Sequence, residues 1–472
     1  MPTSFTEAAQ LYQAFLAQVF GGQVSQPTLF DLPETPSELE IQSLWFSGVL
    51  GREFTSTCGK PVRMVQFGHW NRGAGPDFTE CAVEVAGETL RGAIELDPDP
   101  RDWERHGHVS NPAFNEVVLH LFPEPSAGAR FYTRTADNRE VIQVALDPET
   151  LAPSATGGRH MDQPEAKLGR CSKPLREMDP RRIDALIEAA AQHRLEAKAQ
   201  RLGLTATAHG REEAVFQGIA EAMGYRPNKL PMRVLAQRNP IGDLRKLEAS
   251  EAEARLYGHA SFLTPERFEA AKGETREYLR DLWDTWWKLR ETAQALPDLE
   301  WTLRGIRPLN HPQRRLGALA ALIQDWSRFR KFLPVPDAAP PVSWNKRLAK
   351  VLGELEHPYW SHHYTLQSKP VEKSMALIGK DRIQDILGNT IFPLVIADHP
   401  DQWTLYQELP ASGENEKLRR AMIRLFGEHP DSGAFTKRYY QQQGLLQIYE
   451  DFCLEDWSEC EDCPFPEQLA KW

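Results

Sequence analysis

Long hydrophobic runs are missing from this sequence. Stretches such as Ala318 to Leu322 fall far short of the ~20 apolar residues that a membrane-spanning helix needs. The first twenty residues lack basic residues ahead of their apolar part and lack a small-residue cleavage site, so they read as an amphipathic helix and not as a signal peptide. The expectation is a cytoplasmic protein with no membrane partner. Excess positive charge is missing too. A formal net charge of −11 excludes a surface that is basic all over and confines any nucleic-acid contact to a local patch. Cysteine is scarce: six in 472 residues cannot make a disulfide scaffold. No fixed-period repeat is visible, which argues against a regular solenoid. With 41% apolar and 26% charged residues, the chain is globular and long enough for two or three domains.

The stretch that organises the rest is Trp70 to Asp97. Read with period two, Phe78 to Val85 and Leu90 to Leu96 form a hairpin around Ala86-Gly87-Glu88. Alternation puts Glu95 and Asp97 on one face, and the hairpin brings Asp77 beside them. Like charges gathered in one place repel, so three converging carboxylates point to a cation held between them. Hard oxygen donors suit Mg²⁺ or Mn²⁺. The plainer alternative is that these acids lie on the solvent face of an ordinary amphipathic strand.

Several words of the sequence carry a resemblance. They are Trp70-Asn71-Arg72-Gly73-Ala74-Gly75-Pro76-Asp77-Phe78, Gly92-Ala93-Ile94-Glu95, Asp102-Trp103 with His106-Gly107-His108, and Asn115 to His120. Arg255 to Ala260, Arg307 to Asn310, Gly379 to Arg382 and the cysteine-rich end add to them. Through these, most of the chain resembles a bacterial family known as domain of unknown function 2851. More distantly, Pro76-Asp77 and then Glu95 across a hairpin resemble the PD-(D/E)XK nuclease superfamily. That resemblance implies metal held by Asp77 and Glu95, a further carboxylate from Glu38, and nucleic acid, DNA rather than RNA, as substrate. The nuclease pattern has Lys where this chain has Asp97, and the smaller family usually has His there. The departure bears on the catalytic step more than on the metal site.

His106, His108 and His120 are candidates to replace that Lys, as bases or as donors to phosphate. Arg72, in a glycine-flanked loop, is a candidate phosphate contact. Residues 301–350 hold ten Lys or Arg against two Asp, among them Arg314, Arg315, Arg328, Arg330 and Lys331, with Trp301, Trp326, Phe329, Phe332 and Trp344 interspersed. This window reads either as a phosphate-binding stripe or as solvated helix faces over an aromatic core.

Near the end, Cys453, Cys460 and Cys463 have the close spacing that lets thiolates share one ion. The pattern is similar to the first three ligands of the iron–sulfur loop in endonuclease-III-like glycosylases. It is also similar to iron–sulfur-stapled nucleases in which one distant cysteine joins three C-terminal ones. Cys171 is the nearest fourth ligand and Cys58 the second choice, with zinc and a four-iron–four-sulfur cluster both open.

The expected architecture is α+β. An N-terminal helix and linker (1–35) precede a PD-(D/E)XK-like mixed sheet with flanking helices (36–150). A linker (151–177), a large irregular all-α domain (178–452) and a cysteine-rich tail (453–472) follow. A further hairpin is expected from Arg130–Arg134 and Glu140–Leu146. The expected function is metal-dependent hydrolysis of phosphodiesters. The alternatives are an inactive nucleic-acid-binding protein and a helical scaffold for protein partners.

Overall fold

The computed structural model describes residues 5–19, 37–71, 75–123, 132–147, 151, 166–289, 299–334, 341–413, 415–427, 432–453, 460–461, 463–470 and 472. Seven strands form one mixed sheet: β1 (Glu53–Thr55), β2 (Pro61–Gln66), β3 (His69–Trp70), β4 (Phe78–Val85), β5 (Glu88–Leu96), β6 (Val117–Pro123) and β7 (Ile142–Leu146). The order across the sheet is β1-β2-β4-β5-β6-β7, with β3 paired to β4. β4 and β5 make the expected antiparallel hairpin, Val83 opposite Leu90. β5 then pairs parallel with β6, Glu95 opposite His120. Gly92 permits that approach, since a Cβ there would meet the Glu116 carbonyl at 2.2 Å.

The helix Glu38–Phe46 starts where Ser37 caps it, the Ser37 hydroxyl accepting from Glu40 N–H at 3.4 Å. It packs Trp45 on Phe67 (ring centroids 5.6 Å) and stacks Phe46 on Phe78 (5.8 Å). Each such fully buried aromatic contributes about 2–3 kcal/mol from apolar burial. Its other side meets the helix Lys229–Arg238, where Ser43 donates to Gln237 Oε1 at 2.8 Å. One hydrophobic core runs on from the sheet into the helices, from Ile41 and Ile94 through Phe216 and Leu319 to Phe392.

The long helix Pro180–His209 begins with Asp179 as cap and Pro180 at its first position, where a missing N–H loses nothing. It carries the N-terminal helix Phe5–Val19 and the late helix Tyr439–Cys453. Phe15 meets Phe452, Phe465 and Trp472, so the two ends of the chain share one small core.

Three expectations change. The second hairpin does not form: β7 pairs parallel with β6, and Arg134 and Glu140 make only an isolated bridge. A strand from Glu140 that turned back on Arg134 would leave β6 as an unpaired edge, and β7 covers that edge instead. Arg130 lies outside the described residues. The helical periodicity that runs from Gly242 to Tyr257 in the sequence divides into Ile241–Leu244 and Ala249–His259, the latter opened by a capping box between Glu248 and Glu251. The helix Lys229–Arg238 goes unread in the sequence because Pro227 and Pro231 look like breaks, yet Pro231 falls within its first turn, where proline is tolerated. Among the described residues no helix is long and apolar enough to cross a membrane.

Candidate metal centre and active site

Asp77 stands just before β4 and faces the end of β5. Its backbone N–H donates to Glu95 Oε2 at 3.0 Å, and Leu96 N–H donates back to Asp77 Oδ2 at 3.0 Å. From the helix above, Gln42 Nε2 donates to Asp77 Oδ1 (2.8 Å) and to Glu38 Oε1 (3.0 Å). Four carboxylates, Glu38, Asp77, Glu95 and Asp97, thereby come together, with Glu95 and Asp97 buried.

Histidines supply the remaining wall. His120, fully buried on β6, places Nε2 3.1 Å from Asp97 Oδ2 and Nδ1 2.6 Å from Thr133 Oγ1. Gln143 donates to the same hydroxyl at 2.8 Å. Every group is satisfied if Thr133 donates to Nδ1 and the Nε2–H donates to Asp97. His108 stacks on Phe114 (4.0 Å between ring centroids) and stands edge-on to Trp103. Its Nδ1 lies 3.5 Å from Glu95 Oε1 and 3.9 Å from Asp97 Oδ2, is buried, and has no hydrogen-bond partner among the described residues. His106 Nδ1, on a side chain 52% exposed, is 3.4 Å from Asp97 Oδ1.

The electrostatics are those of an unneutralised acid cluster. Burial first, then the charges of Glu38 and Asp97, push Asp77 up to about 8, against donors from Leu96 and Gln42 that favour its ionised form. Burial and the charges of Asp77 and Asp97 likewise push Glu95 well above the usual carboxylate range. Burial lowers His108, which favours its neutral ring. Among the described residues, the bases within ion-pair distance of Glu95 and Asp97 are these histidines, and no Lys or Arg pairs with any of the four acids. One oxygen each from Glu95 and Asp97 and one nitrogen from His108 lie within 4.8 Å of one another. This donor set fits a divalent ion: hard oxygens with one imidazole, and a buried nitrogen with nothing else to bind.

The sequence reading placed His106 and His108 on phosphate. The structure turns both towards the carboxylates, and His108 is walled in by Phe114 and Trp103. Arg72 lies outside the described residues. Gln42 and Arg238 went unnoticed in the sequence. Gln42 follows Glu38 by one helical turn, a visible signal. Arg238 sits on the unread helix, over the Trp70 ring (5.3 Å) and within the field of Asp77.

The basic window 301–350 does not form a stripe. Arg314 and Arg315 are buried and donate inward, Arg314 to the His363 and Ala376 carbonyls (3.3 and 3.1 Å), Arg315 to the Leu377 carbonyl (2.6 Å). Arg328 pairs with Asp325 and Glu354, Arg330 with Glu212, and Lys331 is exposed nearby. Trp326, Phe329 and Trp344 belong to the core beneath. Helix periodicity turned Arg314 and Arg315 inward, where loop carbonyls needed donors.

A different cluster of cations lies beside the helix Glu38–Phe46. Arg233 donates to Ser43 Oγ at 2.9 Å and pairs with Glu221 at 3.9 Å. Arg201 pairs with Glu221 (3.3 Å), Arg194 with Glu450 (2.5 Å) and Arg382 with Asp385 (3.4 Å), while Arg382 also covers the Tyr225 ring at 3.7 Å. Lys198 donates to Asn389 and Gln443 (2.5 and 2.9 Å). Lys229 feels Arg201, Arg382 and Arg194, which with burial lower its pKa. Lys417 also pairs with Glu450 (2.5 Å), so among the described residues cations outnumber the carboxylates they pair with here.

Cys171, Cys453, Cys460 and Cys463 line one cleft elsewhere in the molecule, and Cys58 stands apart, exposed, beside Ser56 at 3.2 Å. Residues 38–408 match the family described as "Protein of unknown function (DUF2851)". That is most of the chain, so it belongs to this family. No curated protein and no solved structure matches it.

Proposed function

We propose that this member of the family is a divalent-cation-dependent nuclease whose site is built from Asp77, Glu95, Asp97 and His108. The observation that carries the reading is the convergence of four acids and a buried imidazole nitrogen that, among the described residues, has no hydrogen-bond partner, with no Lys or Arg there in an ion pair with the acids. When bound, a hard divalent cation lowers the pKa of water and offsets charge on a phosphate. Glu95, Asp97 and His108 would hold it, and the nitrogen donor tilts the preference from Mg²⁺ towards Mn²⁺. Gln42 orients Asp77 and Glu38, and the Gln143–Thr133–His120 chain orients Asp97. His106, exposed at the mouth, is placed to pass a proton to or from a reacting oxygen. The cation cluster around Arg201, Lys229, Arg233 and Arg382 suits the phosphate backbone of a nucleic acid, DNA in the first instance.

Asp97 in place of Lys favours a second reading, a protein that binds metal and nucleic acid without cutting. Labelled single- and double-stranded DNA and RNA, incubated with the protein and Mn²⁺ or Mg²⁺, separate the two. Cleavage that falls by about 10³-fold in Glu95→Gln is expected, the order seen when a charge-stabilising group is removed. Binding without cleavage under every condition selects the second reading. Neither binding nor cleavage removes both.

A further inference from the structure

Four of the six cysteines meet far from the carboxylates. Cys171 precedes the helix Ser172–Glu177, Cys453 ends the helix Tyr439–Cys453, and Cys460 and Cys463 lead into the helix Phe465–Leu469. Together with Gly169, Arg170, Phe452 and Phe465 they line one small cleft. All four are free thiols. Burial pushes the Cys453 thiol up to about 12 and Cys171 higher still, and for Cys171 the next contributions come from the other three sulfurs. A buried cysteine is often only a small apolar side chain. That account fails for the group, because Cys460 and Cys463 are partly exposed and still face the same cleft as two buried partners.

The surroundings are arranged for the close approach of these segments. Gly169 N–H donates to the Arg424 carbonyl at 2.8 Å, and a Cβ at Gly169 would meet that oxygen at 2.7 Å and Cys171 Sγ at 3.2 Å. Arg170 donates to the carbonyls of Cys460 and Glu461 (3.2 and 2.6 Å) and pairs with Glu467, which fixes the Cys460 turn against the Cys171 segment. The positive charge of Arg424 opposes the rise at Cys453, and that of Arg170 opposes it at Cys463.

We infer that Cys171, Cys453, Cys460 and Cys463 ligate one four-iron–four-sulfur cluster. The width of the ring favours a cluster over a single zinc ion. Zn–S bonds of about 2.3 Å put four thiolates about 3.8 Å apart around a single ion. Among the described residues no three of these sulfurs come within 4.8 Å of one another. A cluster binds each thiolate through a different iron, so its ring is wider. The site is independent of the proposed nuclease centre, in residues and in metal type. Its role is structural. It joins the Cys171 segment, the end of the helix Tyr439–Cys453 and the tail beyond it, under the core where Phe15 meets Phe452 and Phe465. Metal binding there contributes directly to folding.

The test is metal and labile-sulfide analysis of the full chain purified without oxygen, with visible absorption and thermal unfolding as further readouts. About four iron and four sulfide per chain are expected, and ferricyanide or a chelator should bleach the colour and lower Tm together. Cys171→Ser and Cys460→Ser should each lose most of the iron, whereas Cys58→Ser should keep it. Should the ligand variants fail to fold, iron and sulfide added back to metal-stripped wild type provide the same reading. Stoichiometric zinc without sulfide overturns the cluster assignment. Absence of both metals, with four titratable thiols and an unchanged Tm, overturns the site itself.

Discussion

Buried carboxylates behave in opposite ways in two regions of this molecule. At the end of β5, burial and neighbouring acids raise Asp77 to about 8 and push Glu95 well above the usual carboxylate range. In the helical region, burial would also raise Glu221 and Glu450, but there cations win. Arg201, Arg233 and Lys229 bring Glu221 down to about 2, and Arg194 and Lys417 do the same for Glu450. All are carboxylates that burial would raise. What differs is whether the chain supplies the counter-charge. Around Glu221 and Glu450 it does. Around Asp77, Glu95 and Asp97 the described residues supply histidines and a glutamine in contact, and Arg238 only through its field, with no Lys or Arg in an ion pair. A site that withholds its own cation in this way is suited to binding one.

The sharpest test of this contrast is the response of stability to metal and pH. Mn²⁺ at 100 times its Kd should stabilise the protein by about 2.7 kcal/mol, read as a rise in Tm or in denaturant midpoint, and Glu95→Gln should erase the effect. Asp77 has a folded pKa of about 8 against an ordinary 3.8, so the native state keeps a proton that the unfolded chain has released. Its contribution is complete below about pH 4 and is lost as pH rises through 8. Stability of the metal-free protein should therefore fall over that window, and Mn²⁺ should flatten the fall. A metal-free stability that climbs from pH 4 to 8 would break the comparison.

The opposite arm is Glu450. Its pKa is depressed to about 2 from 4.5, so its contribution is present above about pH 4.5 and lost as pH falls towards 2. Glu450→Gln leaves Arg194 and Lys417 without their charged partner. It should cost about 2 kcal/mol, the low side for a buried pair because the Glu450 side chain is 28% exposed. Urea unfolding at pH 7 measures it, and the variant should lose the acid-induced part of the wild-type destabilisation. A gain in stability would mean that the Arg194 network is strained rather than satisfied.

The smallest effect expected is at Gln42. Gln42→Leu keeps the helix and its packing volume but removes the donor shared by Asp77 and Glu38. Metal affinity should weaken by about 10-fold, as for other groups that orient a ligand, with Tm in the absence of metal changed little. Titration of Mn²⁺ by its paramagnetic signal reads this directly, and unchanged affinity would show that Asp77 needs no such support.

The sheet core was legible where local pattern and tertiary need agree. Alternation in Phe78–Val85 and Leu90–Leu96 announced the hairpin, and Ser37 and Asp179-Pro180 are local capping signals at two helix starts. The convergence of Asp77, Glu95 and Asp97 followed from strand parity. The β6–β7 pairing was not legible, because parallel partners are joined through space and leave no turn signal between them.

By itself, then, the sequence determined an α+β chain with an acidic site at a hairpin's end and a cluster of cysteines near its terminus, since period-two alternation, capping residues and short ligand spacings are local properties. Only the tertiary structure decided which charges are neutralised. Arg314 and Arg315 look like a basic surface in the sequence and are internal donors to loop carbonyls in the fold. Arg233 and Arg238 look unremarkable in the sequence, and the fold sets them beside the helix that carries Glu38 and within the field of Asp77. Cys171, nearly three hundred residues from Cys453, reaches the other three thiols only because the long helix Pro180–His209 and its partners bring both ends of the chain to one place. Electrostatic interactions depend on distance through space, and spacing along the chain carries that information only within a helix turn or a hairpin.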